Sequence, residues 1–285
     1  MSKKGGHIFQ IVLIYLIIGA AGYFSWLRLP IDNEVLRFLI SDLVMTLICF
    51  IFSLIKRNSS VYDAYWSVIP FYFVLMWAVI HSSTLSVYEY LIFLVISLWS
   101  WRLTLNWVRS WPGFHHEDWR YVKLAKDNGR LYPLVNFFGI HLFPTFMVFA
   151  GMWPIFYVFS NGLQSRSLLF LGLTVSFIGT LLELVADNQL AVFRSKKYRT
   201  EKLLDTGLWA RSRNPNYLGE IIFWVGLFII GMGYGAPLYT LAGALIMFGL
   251  FFFISIPMKE ERMLERRPDF KAYLAHVPKL FPKLF

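Results

Sequence analysis

Apolar residues in this chain fall in long runs separated by short polar segments, unlike the strict alternation of strands or the one-sided stripes of soluble helices. Eight runs approach the ~20 residues a helix needs to cross a bilayer. They cover about 8–27, 35–55, 64–81, 87–108, 134–159, 167–192, 216–233 and 236–257. The last two are joined through Gly231–Pro237, whose glycines and proline predict a tight hairpin. The expected fold class is therefore all-α, a polytopic membrane helix bundle of about eight transmembrane helices. No solenoid repeat, low-complexity tract or linker interrupts it, so 1–285 reads as a single membrane domain. The first run follows Met-Ser-Lys-Lys-Gly-Gly-His with no small-residue cleavage site, and is expected to remain as a span.

Composition agrees with that class: 57% of the 285 residues are hydrophobic and 15% charged, against roughly 25% charged in soluble domains. The one cysteine, Cys49, excludes an internal disulfide and a cysteine-based metal site. Charge adds an orientation. Of the 27 Lys and Arg, all but Arg28, Arg37 and Arg166 fall on or next to one side of an eight-span arrangement. The positive-inside rule makes that side cytoplasmic and puts both termini there. Topology and anionic headgroups then account for the net charge of +10, with no need for a nucleic-acid partner.

Acidic and amide residues gathered on the same side change the picture. Glu183, Asp187 and Arg194 follow i, i+4, i+11 spacing in the sixth run, one helical face descending to its cytoplasmic end. In the fourth run Trp99, Arg102, Asn106 and Arg109 repeat the design, and Asp63 opens the third beside Tyr62, Tyr65 and Trp66. The segment 207–220 carries Arg211, Arg213, Asn214, Asn216, Tyr217 and Glu220 directly into an apolar span. Asn214-Pro215 there reads as an N-cap with proline at N1, which leaves Glu220 unexplained. Intramembrane carboxylates are costly, and burying ion pairs for stability alone is inefficient. The stripes imply a cavity between helices, open to the cytosol, on which Asp187, Arg194, Asn216 and Glu220 are expected to converge. Amides, carboxylates and guanidiniums at a helix start suit a polar, anionic cofactor. Zinc-protease pairs, a nucleophile elbow, a P-loop and a Rossmann fingerprint are all missing from the sequence. His115-His116-Glu117-Asp118 reads as a docking loop, since adjacent helical residues point apart, and no metal is expected. A nucleotide would have to be held by the bundle's own arginines and amides, with Arg102, Arg120, Arg211 and Asn214 among the candidates.

Several of these segments together resemble the membrane steroid 5α-reductase superfamily, closest to its broad bacterial branch of uncharacterised domains. The likeness rests on Asp187–Arg194, Asp205–Trp209, Asn216–Trp224 and Val277–Pro282, with Tyr62–Pro70 and Glu117–Tyr121 upstream. It covers about residues 55–285, so 1–55 read as N-terminal spans outside the core and 56–285 as the reductase-like core. The resemblance implies NADPH contacts at Asp187, Arg194, Asn216 and Glu220, and aligns Asp63 with the family's acidic catalytic residue. It also implies a bacterial inner-membrane setting. Trp119 departs from the branch's proline, and Trp99 stands where the steroid reductases have a catalytic tyrosine, leaving Tyr62, Tyr65 and Tyr121 as substitutes. The stretch Met258–Arg262, with Glu261 and Arg262, and the stretch Arg213–Gly219 are similar instead to isoprenylcysteine and phospholipid methyltransferases. Those enzymes use S-adenosylmethionine, which gives the alternative reading of a membrane methyltransferase acting on a lipid or prenylated substrate.

The preferred expectation is an NADPH-dependent reductase of a conjugated lipid-like ketone drawn from the bilayer. Hydride addition to the β-carbon of an enone places charge on the carbonyl oxygen. An acid aimed there is worth ~3–4 kcal/mol. Desolvation among Tyr62, Tyr65 and Trp66 favours the neutral, donating form of Asp63. The sequence names neither the ketone nor the oligomeric state.

Overall fold

A computed structural model describes residues 3–83, 85–196, 203–267 and 269–282. The basic residues Lys197, Arg199, Lys202 and Lys283, counted above for orientation, lie outside the described residues. Eight helical stretches among the described residues are long and apolar enough to cross a membrane, and these residues include no strand. The chain is a multi-pass helical membrane protein. Its packing divides into two compact units, Met1–Phe149 and Ala150–Phe285. The division drawn at 55/56 follows the sequence resemblance and does not coincide with this packing boundary.

The first unit opens with α1 (Lys3–Arg28) and α2 (Glu34–Lys56), joined by a short turn. Asn33 caps α2 by accepting the Leu36 amide, and Arg57 ends the helix in the left-handed region at φ 49°. A 3-10 turn at Ser59–Tyr62 leads into α3 (Tyr65–Ile80), and α4 (Val87–Ser110) follows. Ser86 and Glu89 form a reciprocal capping box at the start of α4. Next come α5 (Trp119–Asn128), α6 (Tyr132–Val135), a π-helical segment at Asn136–Leu142, and the first turns of α7 (Phe143–Ser160). Where α1 meets α2, the Met45 side chain lies against Gly22, with its Sδ where a Cβ would stand. The interior is aromatic: Phe38 stacks on Trp77 at 4.9 Å and meets Phe73 edge-on at 5.5 Å. Exposed leucines and isoleucines such as Leu16 and Ile55 are what a lipid-facing surface requires.

In the second unit, α8 (Arg166–Ser195) and α9 (Pro215–Met232) pack along most of their length. Gly172, Ser176 and Gly179 on α8 face Gly219 and Gly226 on α9. A Cβ on Gly179 would lie 2.6 Å from the Gly219 carbonyl oxygen, so only glycine allows this approach. The expected hairpin after α9 is present, closed by Tyr234 and Ala236 amides donating to the Gly231 carbonyl, with Gly235 at φ 81°. A 3-10 turn (Leu238–Leu241), α10 (Ala242–Gly249), a second π-helical segment (Leu250–Ser255), α11 (Ile256–Arg266) and α12 (Phe270–His276) complete the unit.

Candidate functional site

Each unit carries a polar cluster, and they are built differently. In the first, the turn Ser59–Tyr62 is locked onto the 114–118 loop. Asn58 Nδ2 donates to the carbonyls of Phe114 and His116 at 2.9 Å, and Glu117 accepts the Ser59 amide at 2.6 Å. The Asp118 amide donates to Ser60 Oγ, while the Asp118 side chain caps α5 and pairs with Arg120 at 2.8 Å. His115-His116-Glu117-Asp118 is thus a docking loop. No group of three or more His, Cys, Asp or Glu able to hold a metal occurs among the described residues.

This docking brings two sequence candidates together. Tyr121, on the first turn of α5, donates its hydroxyl to Asp63 Oδ1 at 2.7 Å. Of the three tyrosines weighed as substitutes, Tyr121 is therefore the one bonded to Asp63. Tyr62 and Tyr65 stack on each other, ring centroids 4.9 Å apart, and their hydroxyls turn elsewhere. Tyr62 pairs with Thr145 at 2.8 Å, and Tyr65 donates to Asp42 Oδ1 at 2.7 Å. Trp99 is wholly buried in α4, and Arg102 is half-buried on the same helix.

In the second unit, the loop before α9 is held against α8 and the C-terminal segment. Trp209 Nε1 donates to the Ala186 carbonyl at 3.1 Å, and the Leu208 amide donates to Gln189 at 3.0 Å. Ser212 Oγ binds the Leu280 carbonyl, and Arg213 binds the carbonyls of Leu274 and Val277 together with Glu260. Asn214 takes the N-cap position of α9 without capping it. Its amide instead donates to the Lys279 carbonyl at 2.8 Å, and its oxygen accepts from Lys259 at 2.7 Å. Asn214 and Arg213 thereby fasten the C-terminal segment. Tyr273, in α12, donates to the Trp209 carbonyl at 2.5 Å, and burial pushes its hydroxyl up to about 12.

Asp187 and Asn216 do meet across the α8–α9 seam: Asn216 Nδ2 donates to Asp187 Oδ1 at 3.3 Å. Asn216 Oδ1 is buried without a partner. Glu183 and Glu220 are buried in the seam, 2% and 4% exposed, with Glu220 accepting from Trp224 Nε1 at 3.1 Å. Lys259 lies in the field of Asp187, Arg194, Glu260 and Arg213, and its ammonium sits over the rings of Trp209 (4.9 Å) and Tyr217 (5.6 Å). Tyr217 also stacks on Phe251 at 4.8 Å. Arg194, Arg211 and Glu261 are exposed, and Arg262 is half-buried on α11. A cavity of about 620 Å³ opens beside the end of α8, lined by Asn188, Gln189, Phe193, Lys196 and Asp205 among others. None of the four residues expected to converge lines this cavity, which uses the neighbouring face of α8.

Sequence reading missed Asp42, Thr46, Thr145 and His141, all buried in the first unit. Asp42 had a usable signal, being the only charged residue in an otherwise apolar run at 35–55 besides Arg37. The two threonines had none.

The chain is 26% identical over 259 residues to an uncharacterised protein of Schizosaccharomyces pombe, covering 80% of this chain and 74% of that one. No solved structure matches the chain. Residues 49–277 match the family described as Protein of unknown function (DUF1295), and since that match spans most of the chain, the chain belongs to this family.

Proposed function

We propose that this protein is a membrane oxidoreductase that transfers hydride from NADPH to the C=C bond of a conjugated, lipid-like ketone. The observation that carries the reading is the Tyr121–Asp63 pair, a hydroxyl held at 2.7 Å on a half-buried carboxyl. Ser60 also hydrogen-bonds this carboxyl, so a neutral Asp63 is an acid held from two sides. An acid so fixed can meet the negative charge that builds on the ketone oxygen, a contribution of ~3–4 kcal/mol. Tyr121 acts by holding the carboxyl in orientation. Apolar helix faces admit a lipophilic substrate directly from the bilayer.

The residues of the second unit suit a dinucleotide. NADPH, when bound, supplies the hydride. The unpartnered, buried Asn216 Oδ1 is an acceptor for an amide or ribose hydroxyl. Arg194 and Arg211 offer exposed guanidiniums for phosphate, and by the positive-inside rule they face the cytosol. The small-residue seam of α8 and α9 keeps Asp187 on Asn216, so the acceptor is fixed before any ligand arrives.

The test uses the detergent-solubilised protein with NADPH, NADH and S-adenosylmethionine in separate melting experiments. NADPH at 100 times its dissociation constant should stabilise by ~2.7 kcal/mol. Stabilisation by S-adenosylmethionine and not by NADPH would replace the reductase reading with methyl transfer to a lipid. In a panel of conjugated lipid ketones, Asp63→Asn should lower kcat with cofactor affinity unchanged, because asparagine donates a hydrogen bond without transferring a proton.

A further inference from the structure

Five buried side chains of the first unit form a continuous hydrogen-bonded chain inside the membrane-spanning helices. Asp42 and Thr46 lie one turn apart on α2. Tyr65 Oη donates to Asp42 Oδ1 at 2.7 Å, and Thr46 Oγ1 donates to Tyr65 Oη at 3.1 Å. Thr46 Oγ1 and Thr145 Oγ1 are 2.8 Å apart, as are Thr145 Oγ1 and Tyr62 Oη. Asp42, Thr46 and Thr145 are 0% exposed, Tyr65 1% and Tyr62 3%. Asp42 Oδ2 has no hydrogen-bond partner.

We propose that Asp42, Tyr65, Thr46, Thr145 and Tyr62 constitute an intramembrane proton relay, with the Asp42 carboxyl as its buried store and the Tyr62 hydroxyl as its outlet. The inference goes beyond the proposed reduction and does not depend on it. Every intermediate group is a hydroxyl, which can accept one proton while passing on its own, so the chain conducts without any group changing its charge for long. For a proton leaving the store, every hydroxyl first turns to donate away from Asp42; Asp42 then gives its proton to Tyr65, Tyr65 to Thr46, Thr46 to Thr145 and Thr145 to Tyr62. Tyr62 releases its own to water or a ligand oxygen. One carboxylate is left and one acceptor is protonated; no electrons move. The return runs along the same bonds with the hydroxyls as they stand, Thr46 donating to Tyr65 and Tyr65 to Asp42.

Thr145 is where the chain opens. Its one hydrogen serves either its neighbours in the chain or the His141 carbonyl, to which it also lies at 2.8 Å. That carbonyl belongs to the π-helical segment Asn136–Leu142, and wide turns of this kind recur where helices are used for function. A network present only to hold helices together has no need of a carboxyl with one oxygen unpartnered, since a buried, half-satisfied polar group costs stability. Chains of Asp, Glu and hydroxyl groups inside membrane helices are the usual form of proton paths.

The test reads the relay directly, on the full-length protein in nanodiscs transferred to D2O. The infrared C=O stretch of a protonated Asp42 is identified as the carboxyl band lost in Asp42→Asn, and its deuterium exchange is followed in time. Thr46→Val and Thr145→Val keep shape and remove one hydroxyl each. With the path cut, exchange must wait for local opening of the helices, and should slow about tenfold or more. Thr46→Ser and Thr145→Ser should exchange at the wild-type rate. Exchange that is unchanged or faster in both valine variants overturns the relay, as loosened packing alone would produce it. So does the absence of any band lost in Asp42→Asn. Melting temperatures of the same variants separate a cut path from a damaged fold, because a serine variant that restores exchange while melting like its valine counterpart can owe the recovery only to the hydroxyl.

Discussion

Gly179→Ala tests whether the α8–α9 seam positions the candidate cofactor residues. A Cβ at position 179 would lie 2.6 Å from both the Gly219 carbonyl oxygen and the Phe223 amide nitrogen, two backbone atoms that cannot rotate away. Ordinary contact begins at 3.4 Å, so the helices must separate locally by about 0.8 Å. Overpacking of this kind costs about 1–3 kcal/mol. That corresponds to a fall of about 2–4 °C in melting temperature per kcal/mol for chains approaching this size. The Asn216–Asp187 bond, already long at 3.3 Å, would be carried past bonding distance by the same displacement. Gly179→Ala should therefore melt several degrees lower and, on the reading proposed above, bind NADPH more weakly. Gly249→Ala is the matched control: no atom lies within 4 Å of its added Cβ, and alanine favours a helix by ~0.5–1 kcal/mol. The assay is thermal unfolding of both variants in one detergent, with and without nucleotide. Equal melting temperatures for the two variants would refute the claim that the seam is closed to a single methyl group.

Asn216→Ala should weaken NADPH binding by ~0.5–1.5 kcal/mol, measured by titration, with insertion and melting of the apo-protein nearly unchanged. Arg213→Ala removes the Glu260 ion pair and two carbonyl bonds, and should cost about 3 kcal/mol or more, read as a lower melting temperature and faster proteolysis after Arg266. Tyr273 predicts an alkaline limit. Burial raises its hydroxyl from 10.0 to about 12, so the unfolded chain loses this proton first. The resulting stabilisation is full below about pH 10 and is lost as pH rises through about 12, and the difference in melting between wild type and Tyr273→Phe should vanish across that window.

The spans were legible because crossing a bilayer imposes a length and an apolar composition that few other structures share. The predicted 216–233 run differs from α9, Pro215–Met232, by one residue at each end. Stripes were legible too, since i, i+4 spacing is a property of one helix: Asp187 does lie on the face that meets α9. What each stripe touches was not. Asn214 has the sequence signature of a cap, yet Lys259 and the Lys279 carbonyl, 45 and 65 residues away, decide its bonds. Tyr121 was one of three equal candidates until the docking of the 114–118 loop, through backbone groups that carry no sequence signal, brought it to Asp63. Asp42 shows the opposite failure. Its lone carboxylate in an apolar run was visible, but its partner Tyr65 comes from another helix, and the chain beyond it, through Thr46 to Thr145, crosses between helices again.

The π-helical segment at Asn136–Leu142 gives chain length an angular meaning. Its Phe143 amide bonds to the Phe138 carbonyl five residues back, so the segment holds one residue more than an α-helix over the same rise would. Straightening this segment into an α-helix with every residue kept would turn everything after it by about 100° around the helix axis. Thr145 would leave its place between Thr46 and Tyr62, and every lipid-facing side chain of the following turns would rotate with it. A one-residue gap here between otherwise alignable relatives would thus mark a regular α-helix that keeps the same interior face, because the wide turn is what absorbs the extra residue.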